Sequence, residues 1–375
     1  MDGLPRIVLT WAATARGGAE RSVPELATEL AAAGLPVTLI WWTLGGGPAC
    51  PPVGEGVVTR VVDDLAGYTT ALTACVTGDA TVIIGSHRTV LVDVQAAASV
   101  PVVTVVRGIL HPAQRIRLVD PASGELADVT PDGLPWERLA GAVARWVGIS
   151  EASAASIRGC APVALPVQMI HNGVAIPEWR PPPASTAGGR ARLVVVARAA
   201  PWKNLDRLVD AVADPRLRDR VTVDIYGGFG SAQPVLEAQI AAGGAPVVFH
   251  GWVEDLPRRI AGAHALVSVA ELEGFGRGIL DAAVVGVPAV VPRAGAGTEI
   301  VLDGITGFTF DPRSPDGLVD VLERVVDEDP VRLAALGWCA RTRALGYFTP
   351  ARCADQYLQL CHELLSQPTL TRASR

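Results

Sequence analysis

Two carboxylates stand on either side of a glycine-rich turn in ELEGFGRGILD, which ends at Asp281. Glu273 opens the turn and Asp281 follows eight positions later, and the residues before them, ALVSVA, are apolar like a buried strand. A strand that runs through such a turn into a helix presents unpaired N–H groups, which bind phosphate. Carboxylates repel phosphate, so we expect the two acids to accept hydrogen bonds from sugar hydroxyls beside it. The stretch therefore predicts a site for a nucleotide sugar.

Two basic side chains begin the same half of the chain, in LVVVARAAPWKNLDRLVDA. Arg198 follows an apolar strand run, and Lys203 comes five residues later, where the next helix begins. Cations at a strand-to-helix crossing neutralise the charge of a diphosphate leaving group. In the alternative interpretation Glu273 only caps a helix, Asp281 lies on its solvated face, the glycines serve the turn and both cations are surface charges.

Helix and strand patterns alternate along the chain, which indicates an α/β protein. A strand at 6–11, a helix at about 19–34 and a strand at 36–42 make the opening βαβ unit. Further strand patterns occupy 81–85, 102–106, 145–149, 193–197, 221–227, 246–251, 265–270, 288–292 and 307–310. We predict two doubly wound Rossmann-like domains facing a central cleft, with ligands at the carboxyl ends of the strands.

Proline and glycine interrupt the pattern at 177–192, PEWRPPPASTAGGRAR, which we interpret as the interdomain linker. The predicted domains are 1–178, for the acceptor, and 190–349, for the donor. A helix that begins at Pro350 and runs toward the end of the chain is expected to pack back on the first domain. Residues 112–135 are polar and rich in turn formers, so we predict a long surface loop near a ligand, with a mobile loop of no function as the alternative.

Composition narrows the class of protein. The 375 residues carry a formal charge of −6 without a basic block, which argues against a nucleic-acid partner. No apolar run is long enough to cross a bilayer, and the first residues lack the pattern of a secretion signal, so we expect a soluble cytoplasmic protein. The cysteines are scattered as reduced thiols usually are, and no motif predicts a metal site or a cofactor.

Several further motifs occur in a fixed order. They are GGAE at 17–20, HNGV at 171–174, the run from Arg198 to Asn204, HGWVEDL at 250–256, the stretch from Glu273 to Asp281, and GVPAVVPRAGAGTEIVLDGITGF at 286–308. This series resembles the retaining glycosyltransferases of family 4, which have the GT-B fold, and it covers nearly the whole chain.

The resemblance implies a role for each matching residue. Arg198 and Lys203 hold the diphosphate, and Glu273, first acid of the family's E-x7-E signature, contacts the donor sugar. Asp281 takes the place of the second acid, which binds the ribose hydroxyls, and Val253 lies beside the base. The remaining donor-binding residues are Gly17, Gly18, Gly274, Phe275, Gly276, Arg277 and Gly278.

Two departures from the family pattern concern the site. The second acid is Asp281 where the family has glutamate, so the side chain is one methylene shorter. The family often has a histidine at the strand end where this chain has Arg107, with His111 four residues later. We expect Arg107 to bind the transferring sugar or the acceptor. His87, at another strand end, is a further candidate, although a structural role is the usual one for single histidines.

The resemblance implies retaining, metal-independent transfer of a sugar from a nucleotide sugar, with UDP the commonest nucleotide and GDP next. The acceptor would be a small molecule or a glycan hydroxyl, in bacterial natural-product or cell-surface glycan biosynthesis. The departure at Asp281 and the missing histidine leave open a non-catalytic subunit that binds a sugar nucleotide. A dinucleotide-dependent oxidoreductase is disfavoured, because neither half has G-x-G-x-x-G with an acid about twenty residues on. The sequence does not encode the acceptor or the oligomeric state.

Overall fold

A computed structural model describes residues 4–15, 17–76, 80–97, 100–178 and 189–367. Its contacts divide the chain into two compact units. The first unit consists of residues 1–173 and 350–375, and the second consists of residues 174–349. Each unit is an α/β domain built on its own parallel sheet.

The first unit is organised by apolar strands. Its described residues form β1 (Arg6–Ala12), β2 (Val37–Trp42), β3 (Val57–Val62), β4 (Thr81–Ser86), β5 (Val102–Val106), β6 (Ile116–Val119), β7 (Leu126–Val129), β8 (Arg145–Gly148) and β9 (Val167–Met169). Seven of them make a parallel sheet in the order β3-β2-β1-β4-β5-β8-β9. The strands β4 and β5 are buried along their whole length, as expected for parallel strands covered on both faces.

Helices connect these strands. They are α1 (Gly18–Ala32), α2 (Leu65–Cys75), α3 (Val90–Ala96), α4 (Trp136–Ala142) and α5 (Glu151–Cys160). Side chains fix two of the starts: Asp64 accepts a hydrogen bond from the Gly67 N–H at 2.6 Å, and Ser150 accepts one from the Ser153 N–H at 2.9 Å. The helix at 18–32 agrees with the predicted helix, and the βαβ opening is present as predicted.

Residues 112–135 are not the long loop that we predicted. The strands β6 and β7 form an antiparallel hairpin within them, pairing Ile116 with Val129 and Val119 with Leu126. A 3-10 turn follows at Pro131–Gly133. The prediction was wrong because turn-forming residues dominate the segment, while each strand is only four residues long. The sequence analysis also missed β3, an edge strand that is largely exposed, and the three-residue β9.

A buried carboxylate lies under the first sheet, where Asp93 of α3 is fully buried. Its oxygens accept hydrogen bonds from Tyr68 Oη at 2.5 Å, Thr89 Oγ1 at 2.8 Å and Thr10 Oγ1 at 3.3 Å. A Cβ on Gly85 would come within 2.1 Å of Asp93 Oδ2, so only glycine leaves room for this carboxylate. Burial raises the pKa of Asp93 to about 7, although the three hydroxyl donors act to lower it.

We expect this carboxylate to make the first unit less stable as the pH rises. The folded pKa of about 7 exceeds the ordinary Asp value, so the folded state holds the extra proton, and stability is lost between about pH 4 and pH 7. The free energy of unfolding of the first unit, obtained from urea titrations that are followed by pulsed hydrogen exchange in β4, should fall by a few kcal/mol between pH 5 and pH 8. Asp93→Asn, which cannot titrate, should flatten that dependence; an equally steep fall in the variant would contradict the assignment.

The second unit has one parallel sheet. Its strands are β10 (Ala191–Val196), β11 (Val221–Tyr226), β12 (Val247–Gly251), β13 (Ala265–Val267), β14 (Ala289–Pro292) and β15 (Gly307–Phe310). Their order is β12-β11-β10-β13-β14-β15, and each described pair is parallel. The sequence predicted all six, although β13 ends at Val267 rather than at Ala270.

Seven helices of the described chain follow in the second unit, and one returns to the first. They are α6 (Leu205–Ala213), α7 (Gln233–Gly243), α8 (Leu256–Ile260), α9 (Arg277–Ala283), α10 (Gly297–Ile300), α11 (Gly317–Asp327), α12 (Pro330–Tyr347) and α13 (Pro350–Ser366). Proline at the first position of α12 and α13 fits the helix start, where no N–H partner is lost. The apolar residues of α6 and α11 pack into one core with the sheet.

The tail helix α13 packs against α1 of the first unit. Within the predicted linker, residues 179–188 lie outside the described residues. All six cysteines are free thiols. In the part of the chain that is described, no helix has both the length and the hydropathy that a membrane span requires. The predicted α/β class with two Rossmann-like sheets is confirmed.

Candidate donor-binding site

The position of Lys203 is set by an irregular connection after β10. A 3-10 turn, Pro201–Lys203, precedes α6, and Asn204 joins the two with a left-handed φ of 51°. Asparagine tolerates this conformation better than most residues with a Cβ. The Asn204 amide also donates a hydrogen bond to the Val269 carbonyl at 3.4 Å, just beyond β13. Lys203 is therefore held at the carboxyl end of the central strands.

Lys203 contacts the first acid of the opening motif. Its Nζ lies 2.6 Å from Glu273 Oε2, and the two side chains are 23% and 17% exposed. A contact this short between opposite charges is a charge-assisted hydrogen bond, and partial burial protects it from screening. The structure thus brings together two residues that are seventy positions apart in the chain.

Glu273 also organises the turn that follows. Its Oε1 accepts a hydrogen bond from the Gly276 N–H at 3.2 Å, immediately before α9. Gly276 has a φ of 90°, which favours glycine. Burial acts to raise the pKa of Glu273, but the Lys203 ammonium and the backbone N–H groups of Phe275 and Gly276 outweigh it and hold that pKa below its usual value. Glu273 therefore stays ionised at neutral pH, and its capping role accompanies the ion pair.

A second ion pair, which sequence reasoning missed, fastens the same loop. Arg207, one helical turn after Lys203, places Nη1 2.6 Å from Glu271 Oε1. Nothing in the spacing of these residues along the sequence predicted this pair, because Arg207 and Glu271 come together only through the fold. On the other side, Gly295 has a φ of 59°, and a Cβ there would come within 2.7 Å of the Glu271 carbonyl oxygen. The loop that carries Glu273 is thus held on both sides.

The glycine at 278 lets α9 approach β10. A Cβ on Gly278 would lie 2.8 Å from Val196 Cβ and 2.9 Å from Val196 O, closer than such atoms pack.

We expect Gly278→Ala to shift α9, to destabilise the second unit by roughly 1–3 kcal/mol and to weaken nucleotide binding at least tenfold. Gly243→Ala at the end of α7 is the matched control, since its Cβ would meet only Ala213 Cβ at an ordinary 3.8 Å. Titration calorimetry of both variants tests this; equal affinities would contradict it.

These elements surround a small cleft that is open to solvent on one side. Lys203, Glu273, Gly276 and Gly278 line it together with residues at the ends of β10 and β13. Two charged groups, a glycine turn and apolar strand ends in one concave place are typical of small-ligand sites.

Asp281 lies one turn further along α9 and is only 2% exposed. The alternative interpretation, which placed it on the solvated face of the helix, is therefore wrong. Because Asp281 is buried, protein groups and not water surround its carboxylate. Its contact with ribose hydroxyls, implied by the family resemblance, stays a prediction.

The other predicted donor residues of the second unit lie at neighbouring strand ends. Arg198 is exposed, and its guanidinium stacks on the Trp202 ring at 5.5 Å. Val253 lies between β12 and α8. The turn itself places Gly274 and Phe275 in buried positions before Arg277, and the Phe275 ring meets Phe348 edge to face at 6.0 Å.

The first unit carries the remaining candidates. Gly17 caps α1 with an extended backbone, and a Cβ there would lie 3.1 Å from Glu20 Oε2, so an acid faces the predicted glycine loop of Gly17 and Gly18. Arg107 follows β5 and donates from Nη1 to Ser22 Oγ and Asn172 Oδ1 at 3.1 and 3.2 Å. His111 lies further along, where its Nδ1 accepts from the Ala113 N–H.

The composition of the chain carries a further signal for this site. Lys203 is the only lysine of the chain, while arginine occupies every other basic position. Lysine and arginine are not interchangeable at a tight site, because the ammonium is compact and the guanidinium is planar and larger. A single lysine at a strand-to-helix crossing therefore indicates a functional position more strongly than its positive charge alone does.

Among the described residues, no group of three or more histidine, cysteine, aspartate or glutamate side chains is placed to hold a metal ion. An acidic run, 327–329, begins at the last residue of α11 and ends just before α12. Asp329 caps α12 by accepting from the Val331 and Arg332 N–H groups, and Asp327 pairs with Arg220. That run has a structural role.

Residues 190–328, which contain Lys203, Glu273 and Asp281, match the family model described as "Glycosyl transferases group 1". The second unit is therefore similar to the family 4-type glycosyltransferases. The resemblance noted from its motifs is thereby confirmed, and the matched segment spans most of the second unit.

Relatives that are named as glycosyltransferases match part of the chain. The chain is 35% identical over 192 residues to the D-inositol 3-phosphate glycosyltransferase of Nocardioides sp., covering 44% of this chain and 42% of the relative. It is 31% identical over 199 residues to the GDP-mannose-dependent alpha-(1-6)-phosphatidylinositol monomannoside mannosyltransferase of Mycobacterium tuberculosis, covering 47% and 50%. The similarity to this glycosyltransferase family thus spans about half the length of these relatives.

Solved structures match over nearly the whole chain. Anabaena Alr3699/HepE in complex with UDP and glucose matches with a TM-score of 0.74 at 18% identity, covering 96% of this chain and 100% of that one. Sucrose-phosphate synthase from Thermosynechococcus elongatus matches with a TM-score of 0.76 at 17% identity, covering 96% and 99%. At these identities the likeness concerns the fold, and it identifies the architecture as GT-B.

Proposed function

We propose that this protein is a retaining glycosyltransferase that moves a sugar from a nucleoside-diphosphate sugar to a hydroxyl acceptor without a metal ion. One observation carries the proposal: the 2.6 Å contact between Lys203 Nζ and Glu273 Oε2 beside the glycine turn of α9, within a segment that matches a glycosyltransferase family. It joins a group that attracts phosphate to a group that accepts hydrogen bonds from sugar hydroxyls.

The chemistry requires charge stabilisation more than a strong base. When the bond between the sugar and the diphosphate breaks, negative charge gathers on the leaving phosphate oxygens. Lys203 and Arg198 supply fixed positive charge on the donor side, and Glu273 is oriented by its bonds to Lys203 and to the Gly276 N–H. In a retaining transfer the acceptor hydroxyl attacks the same face of the sugar, and a leaving phosphate oxygen takes its proton.

The donor nucleotide is proposed to be UDP or GDP. The likeness to a complex with UDP supports the first, and the name of the mycobacterial relative, which specifies GDP-mannose, supports the second. The acceptor is proposed to be a small molecule or glycan of bacterial natural-product or cell-surface pathways, and a cytoplasmic location remains a prediction.

A thermal-shift panel of UDP, GDP, ADP and dTDP tests the proposal, because a ligand that binds only the folded state raises its melting temperature. We expect one nucleotide to raise it clearly above the others, and nucleotide release from the matching sugar nucleotide once acceptors are added. No shift with any of the four would contradict the proposal.

Release of nucleotide also separates the enzyme from the non-catalytic sugar-nucleotide-binding subunit left open by Asp281. A subunit of that kind would show the thermal shift without any release. Spectral change on mixing with a nicotinamide cofactor, which we do not expect, would instead support the oxidoreductase.

A further inference from the structure

The helix α12 presents an uncharged face to solvent. Three large apolar side chains recur there at intervals of seven residues, and they are 78%, 62% and 37% exposed: Val331, Trp338 and Leu345. Side chains seven positions apart lie on nearly the same side of a helix. Smaller exposed residues lie between them on that side: Ala334, Ala335 and Thr342. We call these six residues the α12 stripe, and within this fully described helix none of the six carries a charge.

Two neighbouring helices show the ordinary pattern for comparison. The exposed positions of α11 include Asp320, Arg324 and Asp327, and those of α13 include Asp355 and Glu363. A helix with one buried face normally carries such charges on its other face, whereas apolar residues on both faces indicate burial on both. The inner face of α12 packs into the core of the second unit. The α12 stripe therefore has the character of a surface that another molecule covers.

The basic side chains of α12 disfavour a lipid surface as that molecule. Arg341 donates a hydrogen bond to the carbonyl that follows α9, and Arg343 donates to two carbonyls of α10 at 3.1 and 2.8 Å. Arg332 forms an ion pair with Glu328 at 3.4 Å. A helix that lies on a membrane directs its cations toward anionic headgroups along the edges of the apolar face. In α12 the arginines bind protein groups instead, and the acidic run 327–329 at its start would repel such headgroups.

The spacing of the α12 stripe fits a second copy of the same helix. Val331 lies seven positions before Trp338, and Leu345 lies seven positions after it, so the stripe is symmetric about the tryptophan. When two copies lie antiparallel with Trp338 at the centre, each valine meets the partner's leucine and the two indole rings meet at the two-fold axis. A seven-residue repeat also keeps one row of side chains in contact along two packed helices.

Charge sets the direction of the pair. In a parallel arrangement the acidic run 327–329 of one copy would lie beside the same run of the other, and like charges repel. In the antiparallel arrangement the two runs lie at opposite ends of helices that are about 27 Å long, because each has 18 residues. The antiparallel pair therefore combines the apolar contacts with the more favourable placement of charge.

We propose that two copies of this protein associate through the α12 stripe, as an antiparallel pair of helices about a two-fold axis. Trp338 and its copy form the apolar centre of the interface, and the small side chains of Ala334 and Ala335 let the helices approach closely. Because one helix pair is smaller than the interface of a permanent dimer, the dimer is reversible and its population rises with protein concentration. This inference concerns assembly and does not depend on the proposed function.

Sedimentation equilibrium of the full chain, from low to high micromolar concentration, tests the association. We expect a monomer–dimer equilibrium for the wild type. Trp338→Arg sets two cations against each other at the axis and should weaken the dimer roughly a hundredfold or more, the scale of a tryptophan at the centre of an interface. Val235→Arg is the matched control, because Val235 is an apolar residue of α7 that is 70% exposed in the same unit, and it should leave the dimer unchanged. Far-ultraviolet circular dichroism of both variants should match that of the wild type, since both side chains are exposed.

Cross-linking tests which surface forms the dimer. Cys339, which is exposed, follows Trp338 directly, so its two copies lie close to the axis on the same side of the helix pair. A short bismaleimide should join Cys339 to Cys339, as identified by peptide mapping. Cys339→Ser should abolish that product and leave the sedimentation of the dimer unchanged.

A pair of opposite charges tests the direction of the helices. Ala334 lies four positions before Trp338, and Thr342 lies four positions after it, so the antiparallel pair brings each close to the other across the axis. The chain that carries both Ala334→Glu and Thr342→Lys should therefore associate more tightly than either single variant. In a parallel pair like charges would meet, and the double variant would associate most weakly.

Three results would overturn the proposal. The first is a wild-type chain that stays monomeric throughout the concentration range, including one that instead sediments with vesicles of phosphatidylglycerol. The second is a dimer that persists in Trp338→Arg or that cross-links through cysteines other than Cys339. The third is a double variant that associates more weakly than both single variants.

Discussion

Lys203→Ala is expected to reduce sugar transfer by about a hundredfold or more while the protein stays folded, because one fixed charge at a developing anion contributes on this scale. The substitution leaves Glu273 with its bond to the Gly276 N–H, so the turn before α9 keeps its cap. Turnover of the preferred nucleotide sugar, measured beside the thermal melting curve, tests this expectation. Near-normal turnover in a folded variant would refute the assignment of Lys203 to the diphosphate.

Lys203→Arg separates charge from shape. It keeps the positive charge but replaces a compact ammonium, 23% exposed against Glu273, by a larger planar group. We expect transfer between that of Lys203→Ala and that of the wild type. Arg313→Ala is a matched control for the loss of a cation from the second unit, because Arg313 is 89% exposed and its ion pair in the described chain is with Asp311, two residues before it.

Glu273→Gln is expected to lower the transfer rate about a hundredfold while nucleoside diphosphate binds as tightly as before or more tightly. The amide keeps the shape of the side chain but removes the negative charge beside Lys203, whose full positive charge then acts on phosphate. The hydrogen bonds that the carboxylate would make to the donor sugar become weaker, because charge-assisted bonds are roughly twice as strong as neutral ones.

The split between rate and affinity distinguishes this role from a structural one. If Glu273 only caps α9, the variant should lose stability, and binding and turnover should fall together. Single-turnover rates and titration calorimetry of nucleoside diphosphate decide between the two outcomes. Weakened nucleotide binding with unchanged turnover would contradict the assignment of Glu273 to the sugar.

The sequence predicted those parts of the fold that are encoded by patterns of neighbouring residues. The strands β1, β4, β5 and β10 are short runs rich in valine, isoleucine and leucine between turn formers. Such runs are typical of parallel strands that are buried on both faces of the sheet, so the sequence alone predicts them. The hairpin at 116–129 escaped prediction because its strands are short and amphipathic. The edge strand β3 escaped because its side chains are mostly exposed.

Of the predicted site residues, the structure brings Lys203 and Glu273 together, but the sequence did not predict the bond between them. Sequence spacing placed Lys203 and Glu273 at the ends of β10 and β13, which are neighbours in the sheet. It could not show that the two side chains pair directly, because that depends on the left-handed Asn204 and on the room left by Gly295. Nor could it show the burial of Asp281, since the exposed face of a seven-residue helix depends on what packs against it.

Selective labelling of the only lysine tests the central claim most directly. An amine-reactive reagent can modify Lys203 and the α-amino group alone, and peptide mass spectrometry separates the two products. We predict that the preferred nucleoside diphosphate slows modification of Lys203 at least tenfold without slowing that of the α-amino group, and that the free nucleoside protects far less. Equal labelling of Lys203 with and without saturating nucleoside diphosphate would contradict the proposal that this residue grips the departing diphosphate.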